Sequence, residues 1–320
     1  MTQISVVVPV FNEEESIPEL AQWISRVMET HDFSYEVIFI NDGSTDHSWE
    51  VIQKISSQNP AFKGLNFTRN FGKSAALDAG FRRAAGDVVI TMDADLQDSP
   101  DEIPGLYEMV NTGDLDVVSG WKKDRHDPIS KTIPSKFFNG VTRWISGIQL
   151  HDFNCGLKAY RNKVVKNIQI YGEMHRYIPL LAKWNGFAKI GEKIVQHQPR
   201  KYGVSKFGLE RFLNGFLDLI TVSFVHRYKK KPMHFFGLLG TLSFLSGFLI
   251  TAWLIFEKVY GLSKGLKVRE IVDQPLFFLA LVALIIGVQL FVTGFIAELM
   301  TSNQSKEIEY KIDEEVNFDF

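Results

Sequence analysis

Cysteine is all but missing from this chain. Of 320 residues only Cys155 is one, so no disulfide can form within it, and the soluble part suits a reducing compartment. A surplus of either charge is missing too. The 35 basic and 37 acidic residues leave a net charge of -2, which gives no reason to expect nucleic acid as a partner. The first apolar stretch, "ISVVVPVF", is followed by no GxGxxG, and no GxxxxGK[ST] occurs anywhere. Those absences disfavour a dinucleotide-binding Rossmann domain and remove the common P-loop. "MTQISVVVPVF" has no basic region leading into a long apolar one, so it reads as a first strand and not as a signal peptide.

Long hydrophobic runs are absent before about Lys230 and then come twice. Phe235–Phe256 and Leu276–Ala297 are each 22 residues long and carry no charge. About 20 helical residues cross the hydrocarbon core, so both read as membrane spans within a segment 231–300. The mean hydropathy of -0.02 averages two unlike parts. Cations flank both sides of the first span almost equally: Arg227, Lys229, Lys230 and Lys231 before it, and Lys258, Lys264, Lys267 and Arg269 after it. Charge bias therefore does not orient the pair. The N-terminal part has no export signal and two spans return the chain to its starting side. Both termini and the domain 1–230 are thus expected in the cytoplasm. The acidic end, 301–320, reads as a mobile cytoplasmic tail.

Within 1–230, apolar strand-like runs alternate with helical periodicity. "ISVVVPVF", "YEVIFI", "FKGLNFTRN", "DVVITMDAD" and "LDVVSGWK" read as strands. Between them, Ile17, Leu20, Ile24 and Val27 mark a helix, Val51, Ile52 and Ile55 another, "GKSAALDAGFRRAAG" a third closed by Gly86, and "DEIPGLYEMVNTG" a fourth. The alternation predicts an α/β domain with a mostly parallel sheet. Polar clusters fall where each strand ends: Asn12–Glu15, Asp42–Ser44, Arg69 and Asn70, Asp93–Asp98, and Gly120–Arg125. Ligands of such sheets bind at those carboxyl ends.

The densest cluster is "VVITMDADLQD". Asp93 and Asp95, one residue apart after a strand, can hold a divalent ion such as Mg²⁺ or Mn²⁺, which takes one or two carboxylates and completes its shell with substrate phosphates. Gln97 offers a further amide oxygen. Asp98 suits a helix cap equally well.

"VVVPVFNEEESI", "VIFINDGSTDHS", "RNFGKSAALDAG" and "MDADLQD", in that order, resemble glycosyltransferase family 2, and in particular its polyprenyl-phosphate glycosyltransferases of the dolichol-phosphate mannosyltransferase and bactoprenol glucosyltransferase type. The resemblance covers nearly the whole chain, including the two spans. It implies a GT-A, Rossmann-like fold, followed by amphipathic interface helices and two transmembrane helices. It also implies that Pro9, Asn12 and Glu13 cradle the donor nucleotide and that Asp42 contacts base or ribose. Lys73, within the third motif, joins the donor-binding set. Asp93, Asp95 and Gln97 become the metal and diphosphate motif.

The acceptor side follows from the same resemblance. "SGWKKDRHDPISK" brings Lys122 and Arg125 to donor or acceptor phosphate. "HDFNCGLKAY" matches the family's DxxCGxK and carries Asp152. Because the acceptor is an ionised phosphate, Asp152 has little proton to remove, and positioning suits it. Arg200 and Lys206 belong to a matched RxxGxSK that grips phosphates, with Arg suited to bidentate contact. His175 and Arg176 stand nearby in sequence. Two amphipathic stretches, about 130–147 and 206–226, suit the membrane interface.

The expected activity is inverting, metal-dependent transfer from a nucleotide-sugar, UDP-glucose favoured, to undecaprenyl phosphate at the bacterial plasma membrane, by a homo-oligomer that could be a tetramer. A processive polysaccharide synthase is the alternative within the superfamily, but "GVTRW" lacks the Gln of its QxxRW motif. A non-catalytic membrane scaffold has no use for the paired carboxylates.

Overall fold

The computed structural model describes residues 2–123, 139–170, 172, 174–199, 201–202, 231–302 and 312–318. The chain divides into two compact units, Met1–Leu219 with Ile308–Phe320, and Ile220–Glu307.

In the first unit the five expected strands form: β1 (Ile4–Val10), β2 (Tyr35–Asn41), β3 (Phe62–Phe67), β4 (Val88–Thr91) and β5 (Val117–Trp121). Helices α1 (Ile17–Thr30), α2 (Ser48–Gln58), α3 (Lys73–Arg83) and α4 (Ile103–Asn111) connect them. Three more strands complete the sheet: β6 (Lys158–Arg161), β7 (Ile190–Ile194) and β8 (Ile312–Val316), in the order β7-β5-β6-β4-β1-β2-β3-β8. Short helices α5 (Asn162–Asn167) and α6 (Ile178–Trp184) follow β6.

Strands β4, β1, β2 and β3 run parallel, and so do β5 and β7. β6 lies antiparallel between β4 and β5, so those two point the same way and six carboxyl ends share one edge. Ile4 to Val8 of β1 are buried on both faces, which is why the run is apolar without alternation. α1 is held by packing, since Ser16 at its start makes no capping bond. Its Ile17, Leu20, Ile24, Val27 and Met28 are buried, at about 1.5–3 kcal/mol each.

Two expectations are corrected. The acidic end is not a mobile tail: β8 pairs antiparallel with β3. The Glu314 carboxylate accepts from Trp49 Nε1 at 2.7 Å and Gln53 Nε2 at 3.1 Å, and Asn317 donates to Ser56 O and Phe62 O at 2.7 and 2.9 Å. The acidic segment thus covers the edge of β3. Gly86 does not close α3, which ends at Ala84. Gly86 lies where the chain touches β1: a Cβ there would sit 2.6 Å from Ser5 N, and its amide donates to Ser5 Oγ at 2.7 Å. The buried Glu36 carboxylate clamps this turn, accepting from Ser5 Oγ at 2.5 Å and Ala85 N at 2.6 Å, with Lys63 at 2.8 Å. Burial raises its pKa, but Lys63, Ser5 and Ala85 outweigh that and hold it below the usual carboxylate value.

Of the expected interfacial stretches, residues 139–146 are helical and Trp144 is 85% exposed. The remainder of 130–147, and all of 206–226, lies outside the described residues.

The second unit holds α7 (Pro232–Ser263) and α8 (Pro275–Ser302). Both are long and apolar enough to cross a membrane, with mean hydropathy 1.9 and 2.7 in their most apolar windows. They pack closely because glycines meet backbone. A Cβ on Gly240 would lie 2.7 Å from Gly287 O, and one on Gly247 2.7 Å from Ala280 O.

Candidate active site

Side chains alternate across the sheet, so each strand sends one set to each face. Val6, Val8, Ile90, Met92 and Val118 join one core cluster, with α1 and α4. The opposite face takes α3, whose Gly80 sits against Val7. Asp42, Asp93, Lys158 and Trp121 continue the strands at or near their ends on the α3 side, spread over β2, β4, β6 and β5.

The first two strand ends are sewn together. Asn12, with φ 57, accepts from Thr45 N at 2.8 Å and donates its own amide to Ser44 Oγ at 2.9 Å. The Glu13 amide donates to Ser48 Oγ at 3.0 Å. Pro9 pairs with Ile40 of β2 and lies beyond the last β4 pairing at Val7, where a missing N–H costs the ladder least. Gly43, with φ 66, lets this loop press on the backbone of Arg69 and Asn70.

Asp42 is buried and accepts from Phe71 N at 2.7 Å and from Gly72 N at 3.0 Å. Burial raises its pKa above the usual value in spite of those amides. Its carboxylate fixes the loop that opens α3, and that loop delivers Lys73.

Lys73 Nζ contacts Asp93 Oδ1. Burial pushes the Asp93 pKa up, but Lys73, then Lys122 and His175, bring it down to about 2. Gly156 leaves the room this carboxylate needs, since a Cβ there would lie 2.5 Å from Asp93 Oδ2. His175 stands beside the pair, its Nδ1 3.1 Å from Ser74 Oγ. Burial, Lys73 and Arg176 hold its pKa well below the ordinary imidazole value, so the ring is neutral.

Asp95 Oδ1 accepts from Gln97 N at 3.2 Å, closing a tight turn in which Leu96 has φ 59. Among the described residues, no group of three His, Cys, Asp or Glu side chains could hold a metal alone. Asp93 and Asp95 are hard carboxylate donors of the kind that fits a divalent cation sharing its shell with substrate phosphates, and among the described residues they make no closed protein cage.

Asp98 does not cap the following turn, where Ser99 Oγ accepts from Asp101 N. Asp98 is fully buried and its Oδ1 lies 2.7 Å from Lys122 Nζ. Lys122 is thus occupied on the α4 face. Burial lowers its pKa, yet Asp98, Cys155 and Asp93 hold it above the usual lysine range. Asp98 also bridges His197, and Gln97 O accepts from Gln198 N at 3.0 Å, tying the acidic turn to the segment that carries Arg200.

The DxxCGxK stretch packs behind the turn. Asp152 is buried, with Oδ1 accepting from Asn154 N at 3.0 Å and its carbonyl accepting from Ser119 Oγ at 3.2 Å. Lys158 is buried, donates to Cys155 O, and has its pKa lowered by burial. Burial, then Asp98, push the Cys155 thiol up to about 12, so it is an inert packed side chain.

Arg125, Arg200 and Lys206 lie outside the described residues. Lys201 turns to Glu19 of α1, at 2.6 Å. The pairing of Asp98 with Lys122 is the feature sequence reasoning missed, whereas the DxxCGxK motif already pointed to Lys158.

An acidic turn at the carboxyl end of β4, faced by lysines, stands on a mostly parallel sheet of the GT-A type. Solved structures share this fold. Glucosyl-3-phosphoglycerate synthase from Mycobacterium tuberculosis, in complex with Mn²⁺, UDP-glucose and phosphoglyceric acid, aligns with a TM-score of 0.53 and 21% identity over 70% of this chain and 79% of that one. Mannosyl-3-phosphoglycerate synthase from Rubrobacter xylanophilus aligns with a TM-score of 0.57 and 13% identity, covering 71% and 75%.

Residues 5–169 match the model of glycosyl transferase family 2, and the chain belongs to that family. It is 37% identical over 302 residues to dodecaprenyl-phosphate galacturonate synthase of Rhizobium johnstonii, covering 93% of this chain and 87% of the relative. It is 35% identical over 300 residues to undecaprenyl-phosphate 4-deoxy-4-formamido-L-arabinose transferase of Pseudomonas aeruginosa, covering 93% and 84%.

Proposed function

We propose that this enzyme transfers a sugar from a nucleotide-sugar to a polyprenyl phosphate at the cytoplasmic face of the plasma membrane, giving a lipid-linked monosaccharide. The observation that carries this reading is the Asp93–Asp95 turn, with Lys73 on Asp93, in a chain that also has two membrane-length helices and aligns over 93% of its length with polyprenyl-phosphate enzymes.

The chemistry follows from the charges. An acceptor phosphate oxygen forms a bond to the anomeric carbon while the bond from that carbon to the donor diphosphate breaks on the opposite face, which inverts the centre. The acceptor is already anionic, so no side chain need take a proton, and Asp152 serves by shaping its loop. When bound, a divalent cation such as Mg²⁺ or Mn²⁺ would neutralise the leaving diphosphate. Asp93 and Asp95, with Gln97 beside them, would hold it. Pro9, Asn12, Glu13 and Asp42 belong to the donor side, and Lys73 meets the diphosphate. Lys122 acts behind the turn through Asp98, while Arg125, Arg200 and Lys206 supply further cations to the phosphates.

UDP-glucose is the first donor to test, with galacturonate and 4-deoxy-4-formamido-L-arabinose nucleotides beside it because those sugars appear in the relatives' names. The purified chain is assayed with each donor and radiolabelled sugar against undecaprenyl phosphate. A lipid-linked monosaccharide with inverted anomeric configuration is expected. Polymer, or no product with any donor, would sink the reading. Light scattering in detergent tests for a homo-oligomer, with a tetramer among the states compared.

A further inference from the structure

A second cluster lies on the same sheet face as Asp93, on the side away from Asp42. Trp121 ends β5, and the His151 imidazole stacks on its indole with centroids 4.1 Å apart and planes 14° apart. His151 Nδ1 lies 2.5 Å from Glu192 Oε1 of β7, and the His151 amide donates to Glu192 Oε2 at 2.8 Å. One carboxylate thus fixes both backbone and ring, and the indole fixes the plane. The side chain remains 51% exposed, and among the described residues Nε2 has no partner. Lys123 brings a cation to the same indole, 6.0 Å from its centroid.

We propose that His151, oriented by Glu192 and Trp121, is the positioning contact for the phosphate of the acceptor. Between the Glu192 carboxylate and a bound anion the ring would donate through both nitrogens, Nδ1–H to Glu192 and Nε2–H to the anion, a charge-assisted contact held in place. Its place selects which anion. Neighbouring strands lie about 4.8 Å apart, so β5, two strands from β4, stands about 10 Å from the acidic turn. The donor loops at Asn12 and Asp42 lie on the other side of β4, over β1 and β2. An anion at His151 would therefore lie across β4 from the donor loops, the side from which an acceptor opposite the nucleotide would enter. Asn139 binds the cluster to the exposed helix of Trp144, donating to His151 O at 3.0 Å and accepting from Phe153 N at 3.3 Å. This inference rests on the proposed acceptor.

The test is steady-state kinetics of the full-length chain in detergent, varying undecaprenyl phosphate and donor separately, with UDP inhibition as the probe of the donor diphosphate. His151→Gln is expected to raise the acceptor KM about tenfold, the weight of one charge-assisted hydrogen bond, with donor KM and UDP inhibition unchanged. His151→Arg, which keeps a cation beside Glu192, is expected to recover part of that loss, and Glu192→Gln to give a smaller rise. An unchanged acceptor KM in a folded His151→Gln, or a shift confined to donor KM or UDP inhibition, would overturn the proposal. Should His151→Gln fail to fold, Glu192→Gln decides by the same criterion. A wild-type chain that neither binds nor glycosylates undecaprenyl phosphate would remove the proposed function and this contact together. A wild type that does so, with variants indistinguishable from it, would remove only the contact.

Discussion

Asp98 and Lys122 form an ion pair of 2.7 Å beneath the acidic turn, with the Asp98 side chain fully buried and that of Lys122 14% exposed. The pair joins the end of β4 to the end of β5. Breaking it from one side leaves a buried charge without its partner, at about 3–5 kcal/mol, whereas removing both charges costs far less. Asp98→Leu and Lys122→Met are each expected to lower the denaturation midpoint strongly, and the two together to regain most of it. Additive losses in the double variant would show that the charges do not act as a pair.

Asp95→Ala is expected to reduce sugar transfer on the order of 10²–10³-fold or more, because charge on the leaving diphosphate loses its cation. The unfolding midpoint should change little, since the Asp95 bond to Gln97 N closes a short turn at the end of a strand. Chelation should mimic the variant, and Mg²⁺ or Mn²⁺ should reverse it in wild type alone. Full activity of Asp95→Ala at high metal would count against the metal role.

Gly156 offers a subtler lever. Alanine would set a methyl carbon 2.5 Å from Asp93 Oδ2, so the carboxylate must move away from Lys73. A displacement of about 1 Å in a positioned group can cost about 10²-fold in rate. Gly156→Ala is expected to lose activity with only a small change in thermal stability, read by parallel transfer and melting measurements. Unchanged turnover would mean that the Asp93 position tolerates the shift.

Glu36 sets a pH dependence far from the active site. Its folded pKa lies below its ordinary value of 4.5. The stabilisation is therefore complete above that value and is lost as pH falls through the lower, folded pKa. Melting temperatures measured from neutral to acid pH should fall along this limb in wild type. In Glu36→Gln the limb should be shallower, from a lower starting point. An identical acid limb in both proteins would move the effect to other carboxylates.

The sequence discloses much of this architecture because parallel strands are apolar on both faces. β1 to β4 and the helices between them follow from runs such as Ile4–Val10 and from the spacing of Ile17, Leu20 and Ile24. The paired carboxylates at Asp93 and Asp95 are legible for the same reason, since a buried strand aims them. Long-range pairings are not. Lys73 meets an aspartate 20 residues away, and Asp98 finds Lys122, without any local pattern to announce them. β6 is only four residues long and begins with a lysine that burial conceals. His151 and Trp121 are ordinary residues in sequence and become a unit only because β7 supplies Glu192.

The C-terminal strand has a consequence for how the protein is made. β8 leaves the ribosome only after both membrane-length helices, which precede it. Until then β3 keeps an open edge, with Trp49 and Gln53 lacking the Glu314 carboxylate. Synthesis of the catalytic sheet thus finishes only after the hairpin has emerged, and a chain arrested within α8 would carry a glycosyltransferase domain with its edge still open to other strands.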